Sequence, residues 1–323
     1  MRSNPFESIY QSLNSGISET TSHDMPMIID IEITNACNFS CLFCHTGAKA
    51  SKRATGFMPK ELYERIINEI APFRIPLRFI RWGEPTLHKG FFEYLNMAKD
   101  KNLMCHINTN GSLLDKDEIN KLLEMKLDSL KFSFQGTDEK TYNEMRYGKS
   151  FTKLVNTVKL FSELRGSLAY PYLHASTTVT YETDEMIQSF KDLLAPYCDL
   201  VTVGHTNLSH ITSDQTRLPK GARKILDDLK CAESIEKRYK TCNEVYDKLS
   251  INWDGTVSAC CGDYDNYMIV GDLSRTSIQD IWKNSEKLKL YRSLLSEYRH
   301  SELPLCKTCY DTMDLRVPIS REQ

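Results

Sequence analysis

The stretch IIDIEITNACNFSCLFC, residues 28–44, runs from an apolar β-rich segment, Ile28–Ile33, straight into three cysteines, Cys37, Cys41 and Cys44. A loop that leaves a strand in this way can turn all three thiolates onto one metal centre. Their number is informative. A cubane [4Fe–4S] cluster has four irons, so three protein thiolates leave one iron open to an outside ligand, whereas a fourth would close it. A zinc knuckle or buried structural thiols are the alternatives; zinc wants a fourth protein ligand, and His45 is the close candidate.

Downstream of this loop, β-rich runs alternate with amphipathic helical patterns. The runs are Ile28–Ile33, Leu77–Trp82, Leu103–Asn108, Ser129–Phe134, Leu173–Thr180 and Leu200–Gly204. Between them fall Pro59–Ile70, Gly90–Lys99, Asp117–Met125, Phe151–Leu164 and Asp184–Leu194, each with apolar residues at helical spacing. Strands separated by helical crossovers predict an α/β fold with a parallel sheet, whose chemistry sits on loops at the carboxyl ends of the strands. The order divides the chain into an N-terminal extension (1–26), a barrel of β/α units (27–208), a charged helical connector (209–240) and a small C-terminal domain (241–323).

In that last part, Leu249–Trp253 and Val257–Cys260 flank Asp254-Gly255, a strong hairpin signature, and helical patterns follow at Ser277–Lys283 and Lys287–Tyr298. Cys242, Cys260 and the pair Cys306-x-x-Cys309 supply four thiolates, enough to close a second centre, iron–sulfur or tetrahedral zinc. Of the other cysteines, Cys105 and Cys198 suit packing as small hydrophobes. Cys261 can replace Cys260 as a ligand, and Cys231 is a rival to Cys242.

The 323 residues, 41% of them hydrophobic, are ample for a buried core, and a net charge of −2 with interspersed signs predicts no capture of nucleic acid or of a membrane surface. Residues 1–24 are polar and Ser-rich, and no stretch approaches a membrane span, so a cytoplasmic location is expected. In a reducing compartment, 11 cysteines point to metal or redox chemistry and away from a disulfide scaffold.

The Cys37-x-x-x-Cys41-x-x-Cys44 spacing after a first strand resembles the radical S-adenosylmethionine (SAM) superfamily, with the likeness running over about Met27–Gly204. The resemblance implies a partial (β/α)6 TIM barrel and SAM bound at the open iron. It implies that Phe43 packs near the adenine. Gly83 and Glu84, in Trp82-Gly83-Glu84-Pro85, would hold the SAM ammonium, although Trp82 stands where many members have glycine. Ser133 would meet the ribose and methionine end, with Gln135 where relatives often carry an acid, and Arg146 would pair with the SAM carboxylate. Asn110, in Thr109-Asn110-Gly111, is expected to shape the cavity floor, and Ser176–Thr180 to support the adenine.

The second cysteine set resembles a shortened SPASM, or twitch, domain holding one auxiliary [4Fe–4S] cluster, with Ile269–Leu273 and Ser277–Trp282 as its linking strand and helix. The combination is most similar to aminocyclitol dehydrogenases. It implies two [4Fe–4S] clusters, a hydrogen atom taken from a sugar, cyclitol or nucleotide-linked sugar, and oxidation of a secondary alcohol with the auxiliary cluster as electron acceptor. An external one-electron donor such as flavodoxin or ferredoxin is implied as well. His205, with Asn207 nearby, is the candidate base. Peptide maturation is disfavoured by a short N-terminus without room for a peptide-recognition module. Sugar epimerisation would need a hydrogen donor such as Cys261, and a non-catalytic electron carrier would have no use for Glu84 or Arg146. Replacing Cys37, Cys41 and Cys44 together by alanine is expected to remove one cluster's iron, and replacing Cys242, Cys260, Cys306 and Cys309 to remove the other's, as read by iron and sulfide analysis of anaerobically purified protein.

Overall fold

In the middle strands of the sheet apolar residues alternate with polar ones, and this decides which way each side chain points. The computed structural model describes residues 2–14, 24–208, 218–220, 223–224, 242 and 244–309; Cys231 and most of the expected connector lie outside the described residues. Six parallel strands, β1 (Ile28–Ile31), β2 (Leu77–Phe79), β3 (Cys105–Thr109), β4 (Ser129–Ser133), β5 (Tyr172–Val179) and β6 (Leu200–His205), lie in simple succession. The sheet is not closed, so the fold class is the expected one, a partial barrel. Leu77, Phe79, Ile107, Leu130, Phe132, Leu173 and Ala175 are wholly buried against the outer helices. Their neighbours Arg78, His106, Asn108, Lys131, His174 and Thr202 face the other way and line a polar lumen.

Register places these polar residues side by side: Arg78 opposite Asp30 and His106, Lys131 opposite Asn108 and His174. Hydrogen bonds knit them across strands. Arg78 donates through Nε and Nη2 to the two oxygens of Asp30 (2.6 and 2.8 Å). His106 joins Ser129 Oγ and Asn108 Oδ1 (2.9 and 2.7 Å), and His174 joins Thr202 Oγ1 (2.6 Å).

The crossover helices are α2 (Lys60–Ile70), α3 (Phe91–Asp100), α4 (Lys116–Glu124), α5 (Glu139–Arg146), α6 (Phe151–Arg165) and α7 (Asp184–Leu194). Asp115, Asp138, Ser150 and Thr183 cap the last four, each accepting backbone N–H bonds left open in the first turn. Helix α5 was not expected from the sequence. Its run EKTYNEMR has too few apolar residues to show a period, and a capping box between Asp138 and Thr141 starts it instead.

Within the N-terminal extension, residues 2–14 form a plug. Helix α1 (Glu7–Asn14) follows Phe6, which is fully buried with its ring edge-on to His106, centroids 5.7 Å apart, near the amino ends of the strands. Arg2 fastens the same segment by donating to the carbonyls of Leu168 and Gly166 (both 2.6 Å).

The C-terminal hairpin extends the sheet. Strand β7 (Lys248–Ile251) pairs in parallel with β1 and antiparallel with β8 (Thr256–Ser258), which pairs with β9 (Ile269–Asp272). The order β6-β5-β4-β3-β2-β1-β7-β8-β9 therefore runs through both parts of the chain. A one-turn helix α8 (Glu244–Asp247) leads into β7, and α9 (Ile278–Asn284) and α10 (Glu286–Ser296) follow. Among the described residues no helix is long and apolar enough to cross a membrane. Truncating the plug by Phe6→Ala is expected to lower the free energy of unfolding by about 3–5 kcal/mol, the usual cost of emptying a buried aromatic site, measured by chemical denaturation.

Candidate active site

The cysteine loop leaving β1 is held from several sides. Thr34 Oγ1 donates to the carbonyl of Gly56 (2.7 Å), and Asn35 Nδ2 to that of Ala54 (2.8 Å). Asn110 Nδ2 donates to Asn38 Oδ1 (2.9 Å), and Asn38 Nδ2 to Ser112 Oγ (2.9 Å), which binds the loop to the end of β3. The N–H of Leu42 donates to the carbonyl of Met145 in α5 (2.9 Å).

Gly83 and Glu84 serve this loop in a way the sequence did not reveal. A Cβ on Gly83 would lie 2.0 Å from the carbonyl oxygen of Thr34 and 2.9 Å from that of Ala36. The close approach that requires glycine is therefore to the cysteine loop itself. The Glu84 N–H donates to the Ala36 carbonyl (2.9 Å). Its carboxylate, 2% exposed, accepts Thr86 Oγ1 (2.6 Å) and Thr109 Oγ1 (2.8 Å) on one oxygen and the Asn110 N–H (2.7 Å) on the other. Through these bonds Glu84 ties the ends of β2 and β3 together. Burial raises its pKa above the ordinary value, and these donors work against that rise.

Arg146, at the end of α5, is 6% exposed and wedged among the rings of Tyr142, Phe39 and Phe43, with centroids 5.4, 5.6 and 5.8 Å from its guanidinium carbon. Its Nη2 donates to the Phe134 carbonyl (3.3 Å), while Nε has no hydrogen-bond partner among the described residues. A buried guanidinium with an N–H to spare, beside the cysteine loop, is equipped for a carboxylate. Phe43 shares that corner. Ser133 is half-buried on the lumen face of β4, adjacent to Ser176 in register.

The three cysteines fit an iron–sulfur cluster. Burial pushes the Cys37 thiol up to about 12 and raises those of Cys41 and Cys44, so without a cationic centre all three are neutral thiols. A metal centre supplies the charge that keeps them as thiolates.

The second set converges as well. Cys242, Cys260, Cys306 and Cys309 line one cavity of about 180 Å³, which Phe43 and Trp82 border from the barrel side. The Gly262 N–H donates to Cys260 Sγ (3.3 Å), the kind of bond that supports a ligating sulfur. Cys261 borders the cavity too, with its Sγ within 4.8 Å of carboxylate oxygens of Asp30 and Glu244. Arg78 and Lys248 already pair with those carboxylates, so the trio is no vacant cation site.

A clamp joins the two cysteine regions. Arg81 Nη2 and Trp82 Nε1 both donate to the carbonyl of Asp263 (2.6 and 3.1 Å). The His45 ring stacks on Tyr264 with centroids 3.5 Å apart, edge-on to Trp82. Arg81 adopts φ +127°, a region that non-glycine residues enter only under constraint. The departure from glycine at Trp82 thus has a use, because its indole reaches the second set. Sequence reading missed Arg81 and Tyr264, since neither stands in a recognisable motif.

His205 requires correction. It follows Gly204 on β6 opposite Val179, whose side chain packs outward, and it is exposed, so it faces away from the lumen. Strand parity, counted from the His174–Thr202 bond, gives this directly. Asn207 does border the cavity of the second cysteine set.

The comparisons with known proteins agree with this arrangement. The family model "Radical SAM superfamily" matches residues 31–194, and "Iron-sulfur cluster-binding domain" (SPASM) matches residues 242–310. The chain belongs to the radical SAM superfamily and carries a SPASM domain. Its cofactors are accordingly SAM, the [4Fe–4S] cluster of the radical SAM domain, and an additional iron–sulfur cluster in the SPASM domain. An AdoMet-dependent heme synthase of Methanosarcina barkeri is 29% identical over 121 residues, 38% of this chain and 34% of that protein, so the match spans about a third of that relative's length. The crystal structure of BtrN in complex with AdoMet and 2-DOIA superposes with a TM-score of 0.56 at 18% identity, covering 89% of this chain and 94% of that one. Streptococcus suis SuiB bound to precursor peptide SuiA gives a TM-score of 0.66 at 18% identity, covering 90% of this chain and 72% of that one.

Gly83→Ala places a methyl group where the cysteine loop must lie. The expected result is protein that loses the iron of the first cluster, together with SAM binding, and retains the second, read by iron analysis and by equilibrium dialysis of labelled SAM.

Proposed function

We propose that this radical SAM enzyme dehydrogenates a small polar substrate, oxidising a secondary alcohol to a carbonyl. The observation that carries the reading is the shared cavity, in which four cysteines of the SPASM domain and Phe43 and Trp82 of the barrel border the same space. When bound, SAM and the first cluster supply a hydrogen-abstracting 5′-deoxyadenosyl radical, and the second cluster supplies an electron-accepting centre.

The chain's own residues bind, orient and exclude water. Arg146 offers its spare N–H to the SAM carboxylate, and Phe43 packs beside it. Glu84 and Gly83 act through the cysteine loop, fixing where the thiolates stand. Residues of the lumen supply hydrogen-bonding partners for hydroxyl groups, and the plug around Phe6 closes the amino end of the barrel to water. Balance requires one hydrogen atom to leave the carbinol carbon, one proton the hydroxyl group and one electron the substrate radical. A cluster held by Cys242, Cys260, Cys306 and Cys309 would supply the acceptor for that electron, and an external donor of the flavodoxin or ferredoxin type would supply the electron that the first cluster requires. BtrN, alike in fold over nearly its whole length, is bound to AdoMet and 2-DOIA in its crystal structure, which supports the choice of a small-molecule substrate.

The test is anaerobic incubation of the reconstituted enzyme and SAM with polyols and sugars deuterated at each carbinol carbon. Deuterium appearing in 5′-deoxyadenosine, with a new carbonyl in the product, is the expected result. Full SAM cleavage with transfer from a peptide α- or β-carbon, and none from any polyol, would instead make the enzyme a peptide maturase.

A further inference from the structure

One cation of the lumen, Lys131, has no ion-pair partner among the described residues. Lys131 lies between Leu130 and Phe132, both wholly buried outward, so its side chain enters the barrel. In register it stands beside Asn108 and His174. Charged neighbours along this face are paired: Arg78 with Asp30 in a two-pronged bridge (2.6 and 2.8 Å), Lys248 with Glu244, and Glu32 with Arg53. Among the described residues, no hydrogen bond or ion pair reaches Lys131.

The imidazoles beside it carry no charge to offset it. Burial, with Lys131 itself as a further cause, holds His106 and His174 down to about 3 and about 4, so both are neutral rings whose nitrogens serve Ser129, Asn108 and Thr202. Burial and the Arg78 charge likewise pull the ammonium of Lys131 below its usual range, while Cys261 and Asp30 partly restore it. A half-buried ammonium with no ion-pair partner is costly, and a ligand anion beside it lowers that cost while gaining charge-assisted bonds.

We infer that the substrate carries an anionic group, a carboxylate or a phosphate, which Lys131 anchors inside the barrel. This rests on the reading of the lumen as the substrate chamber. It moves the substrate class from neutral polyols and amino sugars to sugar acids or sugar phosphates. Lys131 is then a residue that sets specificity, while Asp30 and Glu244, held by their own partners, are unavailable to receive an amine.

Calorimetry of the anaerobic holoenzyme with SAM tests this on four probes of one skeleton: glucose, glucosamine, glucuronate and glucose 6-phosphate. The two anions are expected to bind at least tenfold more tightly than the other two, and the tighter of them distinguishes carboxylate from phosphate. Lys131→Met is expected to abolish the preference and Lys131→Arg to keep it, with both cluster spectra intact in each variant. The inference is overturned if the wild-type protein shows no preference for the anions or prefers glucosamine. It is equally overturned if the preference survives Lys131→Met, or if Lys131→Arg loses it as fully as Lys131→Met does, since the amine would then act as something other than a charge. Formation of 5′-deoxyadenosine by the wild-type protein is measured in parallel. Its absence would overturn the proposed chemistry, whereas selectivity without it would leave the anion site standing.

Discussion

Backbone packed on backbone at Gly83 is the contact on which the rest of the site depends. With no Cβ, residue 83 lets the carbonyls of Thr34 and Ala36 come within a distance that any side chain would prohibit. Glu84 then bonds to Ala36 through its N–H and to Thr109 and Asn110 through its carboxylate, so the ends of β1, β2 and β3 become one rigid piece. Three thiolates on a free loop would sample many geometries. Held this way, the loop restricts where the three cysteines can stand, and that restraint is the preorganisation that a ligand set with an open position needs.

The barrel around that piece has an unusual division of labour. Its outer strand faces form a continuous apolar core with the helices, while its inner faces carry charge and imidazole. Interior charges are costly when unpaired, and the Asp30–Arg78 and Glu244–Lys248 bridges lower that cost for four of them. Because β7 adds to the free edge of β1, the second of these bridges and the SPASM cysteines sit against the lumen, which is how one sheet brings two cysteine sets to neighbouring space.

Much of this was legible in the sequence. Both cysteine sets, the β/α alternation and the hairpin at Asp254-Gly255 carry local signatures of spacing or turn chemistry. Helix α5 was missed because capping starts it, with only Tyr142 and Met145 as apolar marks. The plug at Phe6 was missed because one buried ring in a polar segment has no pattern. The engagement of Glu84 with Thr86, Thr109 and Asn110 was not legible, because it depends on how strand ends meet, which is a tertiary fact. The error at His205 was one of parity. Position after a strand does not say which face a side chain takes, and the register with β5 turns it outward.

The central claim is that one centre, on Cys37, Cys41 and Cys44, is open to SAM, and that the other, on the SPASM cysteines, is closed by protein ligands. Electron paramagnetic resonance of the dithionite-reduced protein, recorded before and after addition of SAM, tests it most directly. Two overlapping cluster signals are expected, of which SAM alters one and leaves the other unchanged, with the altered signal absent when Cys37, Cys41 and Cys44 are replaced. Two signals that both shift with SAM, or a single signal that SAM does not alter, would contradict the account.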